Sequence, residues 1–555
     1  MRSISLFSRQ MPESLKSAWL KILVIFAFLC FRSLLDFNMG GGGWNEIDVL
    51  PLARQYADPN WIPNDWYLNQ FASYRFLFQI IFGSMAATWG FLATSIIGRL
   101  ICYALVATGL GLLGQKLGLS LPALLAAVAL FVMINSGRDF RGSEQGAIAF
   151  EWIVGGLEAK ALAYGFLLPA IWLLLEGQYH WMALLLGVAT SFHVLVGGWA
   201  FLVVLGWLLL NRDRLASLRQ LLAIGLIYLV GSAFAIIPVI QQFLQPAIDA
   251  EIQPSFIYVF LRLPHHLDPL SWKPEFWIRP IVYLLVLLVC TVLIRRWYKA
   301  GSLMRFSAEQ QQAAIGLVLL TLIALVPFVL GVAIAPFDSQ GQLLQYYPFR
   351  LGDVLLPLTT FLMLAYTLEH LPVPNGRRIA QFIFIAVIGV ALLLQSVLFQ
   401  RQVTQLLNFP SPKLEGDVDW QPWTRMSRWI QNNTPQDAVI ISPPEEIESF
   451  TWFTERATVA KYKMFPQTKA NIIEWYERMQ DLSGDTNLWK ETSRTNDDDA
   501  VDIRDRLTNG YNNLTTDQVR ALLDKYQADY FLTRSNHRLD LPIAHRNAAY
   551  VLYGR

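Results

Sequence analysis

Cysteine is almost missing from this chain. Its 555 residues carry only Cys30, Cys102 and Cys290, each inside an apolar run, so neither a disulfide framework nor a cysteine-based zinc motif is available. Charge is scarce too: Asp, Glu, Lys and Arg make up 15% of the side chains and the formal net charge is +2, which leaves no concentrated basic face and argues against nucleic acid as a partner. The spacing and glycine of an EF-hand are absent, so the acidic run Thr495 to Asp502 (TNDDDAVD) reads as a solvated loop, with calcium a minor alternative. Arg2, Arg9 and Lys16 precede the first apolar run but no small-residue cleavage site follows it, and an uncleaved anchor is expected. No internal repeat of the kind that builds many transporters is visible.

What fills the chain instead is apolar sequence. Hydrophobic residues account for 54% and aromatics for 13%, and the mean hydropathy is +0.37; these values belong to an integral membrane protein. Runs long enough to cross a bilayer as helix fall at 19–35, 74–95, 97–117, 119–135, 153–175, 181–210, 219–239, 280–294, 313–335, 350–368 and 379–399. The expected fold is therefore mainly α, a polytopic helical membrane body of about 11 spans (range 9–13), followed by a small α/β domain. Residues 1–399 form the body, with outer loops 36–73, 240–279 and 336–349, and residues 400–555 form the soluble domain. The body holds 20 acidic and 25 basic side chains and the tail 22 and 19, so their net charges are +5 and −3. Short basic connections at NRDRLASLR, RRWYKAGSLMR and LPVPNGRR stay cytoplasmic, which puts the N-terminus inside and the C-terminal domain outside.

In the tail, Trp423 to Asn432, Ala470 to Leu482 and Thr516 to Gln527 read as helices. Ala438 to Ser442, Phe450 to Lys461, Asp529 to Thr533 and Tyr550 to Tyr553 read as carrying strands.

Several residues carry chemistry in unusual places. Glu46, Asp48, Asp58 and Asp65 lie among tryptophans and tyrosines directly after the first run, and carboxylates at a membrane surface are either solvated or serve a site. Glu158 and Lys160 open an apolar span in GGLEAKALAYGF. Two apart on a helix they do not face each other, so they either line a membrane-level cavity or anchor a helix end. His193 sits mid-span in ATSFHVLVGGWA, as a helix-to-helix hydrogen-bonding group or a functional one. Arg262, His265, His266 and Asp268 crowd around Pro264 and Pro269 in FLRLPHHLDPLSW. The histidines and aspartate suit a divalent metal if a carboxylate such as Glu46 or Asp48 joins them, since adjacent side chains point apart; anion contact and plain packing are the other readings. Tyr346, Tyr347, Phe349 and Arg350 stand at the outer mouth of a span in LLQYYPFRLGD. Arginine's planar fork suits a phosphate, and the competing reading is an intrahelical pair with Asp353.

A single amino-terminal span, an outer loop with carboxylates, a many-span body and a carboxy-terminal α/β domain together resemble the GT-C superfamily of membrane glycosyltransferases, closest to bacterial polytopic members of undetermined function. The resemblance is one of layout over nearly the whole chain, and the segments RWIQNNTPQDAVIISPP and FTERATVAKYKMFP look like those that follow the last span in such proteins. It implies a polyprenyl-phosphate sugar donor, an acidic first-loop residue as general base or metal contact and, in some members, a divalent cation (Mg or Mn). By position Glu46 and Asp48 match the first-loop acids, and Arg350 is the candidate for the donor phosphate. The chain departs from the family's early acidic pair, because its acids are embedded in WNEIDV and followed by Asp58 and Asp65, which leaves open which carboxylate matters.

The expected function is transfer of a sugar to an acceptor on the extracytoplasmic side of a plasma membrane. Glu46 and Asp48 would be catalytic; Arg350, Arg262, Tyr347, Glu158, Lys160 and His193 would bind substrate; His265, His266 and Asp268 would hold metal. Membrane lipid and the lipid-linked donor are the expected partners. A transporter or lipid flippase and a non-enzymatic envelope scaffold are the alternatives.

Overall fold

The computed structural model describes residues 13–37, 45–70, 75–133, 145–211, 217–244, 251–299, 307–407, 420–445, 447, 449–484, 488 and 503–555. The acidic run 495–502 and Arg138 and Arg141 lie outside the described residues. The body is built from α1 (Glu13–Ser33), α2 (Glu46–Ala57), α3 (Phe76–Lys116), α4 (Leu121–Met133), α5 (Ala159–Leu175), α6 (Tyr179–Phe192), α7 (Val194–Leu210), α8 (Leu218–Gly231) and α9 (Ala233–Phe243). Two single turns follow, α10 (Pro254–Phe256) and α11 (Pro264–Leu267), joined through a π-helical turn at Ile257–Arg262. Then come α12 (Ile278–Lys299), α13 (Ala308–Ile334), α14 (Arg350–Glu369) and α15 (Gly376–Leu407).

The chain is a multi-pass, mainly helical membrane protein, but its apolar runs and its helices do not match one to one. Among the described residues, five helices are long and apolar enough to cross a membrane, six if the pair α8 and α9 is one span bent by 77°. The runs 74–95 and 97–117 fuse into α3, which kinks at Gly90, where φ is 76°. The run 181–210 breaks at His193, whose extended backbone ends α6 and caps α7. The run 153–175 gives up its first residues to a buried loop before α5 begins at Ala159. Helix α14 is the central post, with 89% of its apolar window buried, whereas only 17% is buried in α12 and in α15, whose apolar faces are left for lipid. Helix α2 lies against α3 so closely that a Cβ on Gly83 would stand 2.1 Å from the Ala53 carbonyl oxygen.

The C-terminal domain comprises α16 (Trp420–Asn433), β1 (Val439–Ile441), α17 (Phe450–Thr454), β2 (Ala457–Thr458), α18 (Lys469–Ser483), α19 (Ile503–Asn512), α20 (Thr516–Lys525), β3 (Tyr530–Arg534), β4 (Ile543–Arg546) and β5 (Tyr550–Gly554). Among the described residues its strands are five, in the order β2-β1-β3-β5-β4, with β1 parallel to β2 and β3 and the other pairs antiparallel. Segment 450–461, expected to carry a strand, spends its first residues in the short helix α17, ended by Glu455 in the left-handed region, and leaves only two for β2.

The first outer loop ties the two parts together. Glu455 accepts from Arg54 Nη1 at 3.1 Å and from the Trp61 indole at 2.8 Å. Asp65 is buried, accepts from the backbone N–H of Thr458 at 3.0 Å, and burial holds its carboxyl above the usual range. Asp58, in contrast, is exposed and caps Asn60.

Behind that loop sits a buried ion pair. Glu46 pairs with Arg99 of α3 and accepts from Ser95 Oγ and the Leu157 N–H, both at 2.8 Å. Arg99 Nη1 donates to the carbonyls of Ser33, Leu34 and Asp36. One carboxylate and one guanidinium thus lock α1, α2, α3 and the loop before α5 into a single arrangement. Removing one partner of such a pair strands the other charge, so Glu46→Gln is expected to lower stability by about 3–5 kcal/mol. Thermal unfolding of the detergent-solubilised protein measures this, and a melting temperature equal to the wild type's would contradict the assignment.

Candidate functional site

The site starts from a piece of chain that is not helical. Residues 145–158 run between helices in the interior, where each backbone N–H needs a partner within the protein. Asp353, one turn into α14, accepts from the N–H groups of Ile148 (2.7 Å), Ala149 (2.9 Å) and Glu151 (3.1 Å). Gln145 Oε1 takes those of Ile153 and Val154 at 2.8 and 3.0 Å. Held this way, the loop presents Glu151 to Arg350 (3.0 Å) and to Lys160 (3.6 Å). Its Ala149 carbonyl accepts from His266 Nδ1 at 2.7 Å. A carbonyl cannot donate, so the proton is on Nδ1 and the lone pair on Nε2. Burial and then the neighbouring His265 hold the His266 pKa well below its ordinary value, so the ring stays neutral at physiological pH.

Arg350, Lys160 and His266 border a cavity of about 1370 Å³ between the membrane body and the C-terminal domain. Its charged lining is one-sided: Arg75, Lys160, Arg262, Arg350, Lys463, Lys469 and Arg504 stand against Asp48 and Glu158. Arg350 opens α14 with its guanidinium 3.9 Å over the Tyr347 ring and its Nη1 3.0 Å from His193 Nε2. The Lys160 ammonium lies 4.4 Å over the Trp152 ring. Away from this floor the lining turns apolar, with Leu195, Trp199 and Leu202 of α7 facing Pro238 and Val239 of α9. Leu202 is exposed, as is Ile240 one residue beyond that α9 pair, so this mouth opens between membrane helices rather than into the core.

The structure gathers most residues singled out in the sequence around this one cavity. Asp48, Glu158, Lys160, His193, Arg262, His265, His266, Tyr347 and Arg350 line it. Asp48, in the first turn of α2, stands on the same wall as Asn45, whose amide donates to both Glu158 carboxylate oxygens at 3.2 Å. Arg262 serves the roof, donating to the carbonyls of Tyr462 (2.9 Å) and Lys463 (3.3 Å) in the C-terminal domain.

Two expected residues do not join it. Glu46 faces away, consumed by Arg99, because the helical spacing that puts Asp48 on the cavity wall turns a residue two positions earlier toward α3. Asp268 caps the turn Pro269–Ser271, accepting from the Leu270 N–H at 3.2 Å. Among the described residues no group of three or more His, Cys, Asp or Glu side chains could hold a metal ion, so His265, His266 and Asp268 do not form the ligand set expected of them. Among the described residues, the implied divalent cation therefore finds no fitting ligand set. Nor does Arg350 pair with Asp353: its ion pair is with Glu151, and Asp353 is engaged by backbone N–H groups.

The residue that sequence reasoning passed over is Glu151. It carries the same signal as Glu158, a lone acid at the edge of an apolar run, and was hidden by the absence of any cation close to it in sequence.

A family model described as a domain of unknown function (DUF6798) matches residues 421–482, the first part of the C-terminal domain and much of the cavity roof. No curated protein matches the chain. Among solved structures, an oligosaccharyltransferase from Archaeoglobus fulgidus, in complex with zinc and sulfate, aligns with 12% identity over 92% of this chain and 68% of its own, with a TM-score of 0.47. ArnT from Cupriavidus metallidurans in the apo state aligns with 11% identity over 97% and 98%, with a TM-score of 0.41. Both scores fall under 0.5, so what this chain does is decided by its own residues.

Proposed function

We propose that this protein is a membrane glycosyltransferase that moves a sugar from a polyprenyl-phosphate carrier to an acceptor hydroxyl at the extracytoplasmic surface. One observation carries the reading: a single cavity joins a cationic floor, holding Arg350 and Lys160, to an apolar mouth between α7 and α9, with the carboxylate of Asp48 on its wall. A lipid phosphate needs both halves at once, a charge-neutralising pocket for its head and a hydrocarbon path for its tail. The resemblance of layout to GT-C enzymes points the same way.

The chemistry follows from the placement. Asp48 accepts the proton of the acceptor hydroxyl as that oxygen bonds to the anomeric carbon; the bond from that carbon to the phosphate oxygen breaks, and the electron pair leaves with the lipid phosphate. Arg350 and Lys160 stabilise the charge gathering on the departing phosphate. His193 and Tyr347 hold the Arg350 guanidinium in place, so little reorganisation is needed when that charge develops.

Orientation rests on the basic loops. Helix α7 runs from His193 at the cavity toward the 211–219 connection, and α14 runs from Arg350 toward Arg377 and Arg378. If those basic ends are cytoplasmic, the cavity and the C-terminal domain are outside. Alkaline phosphatase fused after Leu407 should then be active; activity of a cytoplasmic-only fluorescent reporter at the same point would reverse the orientation.

The activity itself is tested with a radiolabelled polyprenyl-phosphate sugar and the purified protein. Asp48→Asn should slow release of lipid phosphate by roughly 10²–10⁴-fold, the usual contribution of a general base, while the melting temperature stays near the wild type's. Undiminished release from that variant would rule out Asp48 as the base.

A further inference from the structure

The two innermost cations of the cavity already have an anion, and it belongs to the protein. Glu151 is buried behind the cavity wall, with Oε1 3.0 Å from Arg350 Nε and Oε2 3.6 Å from Lys160 Nζ. Both cations line the cavity; Glu151 does not. Its backbone is pinned from two directions, the N–H donating to Asp353 Oδ2 and the carbonyl accepting from Gln145 and Gly146 at 2.9 and 2.7 Å. With the backbone anchored and the side chain buried, the carboxylate is confined beside these two cations.

The contact with Arg350 is also unlike an ordinary arginine–carboxylate pair. Such pairs usually meet through two parallel N–H···O bonds. Here neither Arg350 Nε nor Glu151 Oε1 has a partner in hydrogen-bond geometry, although both atoms are buried. One of the two positive charges is balanced, while the hydrogen-bonding fork of the guanidinium is left uncommitted toward Glu151.

We propose that Glu151 is an internal counter-ion that stands in for the anionic group of the ligand: it compensates Lys160 and Arg350 when the cavity is empty and, staying in place afterwards, weakens their hold on a bound phosphate enough for it to leave. This rests on the transferase reading above, and it supplies something that reading needs. The donor's phosphodiester carries one negative charge, whereas the released lipid phosphate is a monoester whose second ionisation near pH 6 takes it toward two. A floor of cations alone would grip the product more tightly than the donor. A fixed carboxylate on the far side of the same cations repels the extra charge and lets the product go.

The test compares wild type, Glu151→Gln and Glu151→Asp by equilibrium binding of decaprenyl phosphate in detergent micelles, and by thermal unfolding with and without inorganic phosphate. Removing one like charge from a weakly screened site should tighten decaprenyl phosphate binding in Glu151→Gln by about tenfold. Inorganic phosphate should raise that variant's melting temperature more than it raises the wild type's, while Glu151→Asp stays close to wild type. If Glu151→Gln does not fold, the double variant Glu151→Gln with Lys160→Gln restores the balance of charge. It should then fold and bind decaprenyl phosphate more tightly than Lys160→Gln alone.

Equal or weaker binding by Glu151→Gln, with a melting temperature lowered by the same amount whether or not phosphate is present, would make Glu151 merely structural and overturn the proposal. A double variant that fails to fold, or that binds the lipid no more tightly than Lys160→Gln alone, would overturn it as well. The two readings fail separately. If no variant binds decaprenyl phosphate but inorganic phosphate still stabilises Glu151→Gln selectively, the counter-ion stands and the lipid-phosphate donor falls.

Discussion

Six backbone N–H groups between Ile148 and Leu157 lie in the interior and belong to no helix. In a membrane body such groups cannot turn to water, and leaving them unpaired costs several kcal/mol each. Three side chains from three different places in the sequence take them. Asp353 accepts three, Gln145 accepts two and Glu46 accepts one. Satisfying this stretch of chain sets the geometry of the site: it fixes which way α2 faces, where α14 begins its descent, and which carboxylate meets Lys160 and Arg350.

The division of labour among the acids comes from that constraint. Glu46 and Asp353 are spent on structure, one with Arg99 and the Leu157 N–H, the other with the loop. Glu151 is spent on charge balance. Asp48 and Glu158 remain on the cavity wall among seven lysines and arginines. A carboxylate in that setting is surrounded by positive potential, which suits a base whose proton must later be given up while the phosphate keeps its charge compensated. The roof comes from elsewhere, residues 462–472 and Arg504 of the C-terminal domain, drawn in by Arg262 and held by the contacts of Glu455 and Thr458 with the first outer loop. The α/β domain thus closes the site rather than hanging from the last helix as a separate module.

Sequence reasoning reached residues by the oddness of their surroundings and stopped at their partners. Lys160, His193 and Arg350 stand out because an ionisable group in an apolar run is costly, and that cost is visible in one dimension. Their partners are set by helix packing across long separations, Arg350 with Glu151 and Glu46 with Arg99 among them, and no spacing rule reports those. The pair most suggested by spacing, Arg350 with Asp353, does not form, because Asp353 is needed by the loop. Helix breaks were hidden for a related reason. His193 and Ser232 interrupt runs whose hydropathy never falters, since their polar groups are satisfied inside the bundle, Ser232 Oγ donating to the Leu229 carbonyl at 3.2 Å. Strand β4 left no trace because it is an edge strand with mostly exposed side chains and no apolar alternation.

In the proposed function one cavity receives a phosphate at Arg350 and Lys160 and a hydrocarbon tail between α7 and α9. A cryo-electron microscopy structure of the protein in lipid nanodiscs with decaprenyl phosphate addresses both halves together. The account predicts phosphate oxygens within hydrogen-bonding distance, about 2.7–3.2 Å, of the Arg350 guanidinium or the Lys160 ammonium, with the isoprenoid chain leaving past Leu202 and Val239. A phosphate seated away from these cations, or a tail emerging on another face of the bundle, would contradict it.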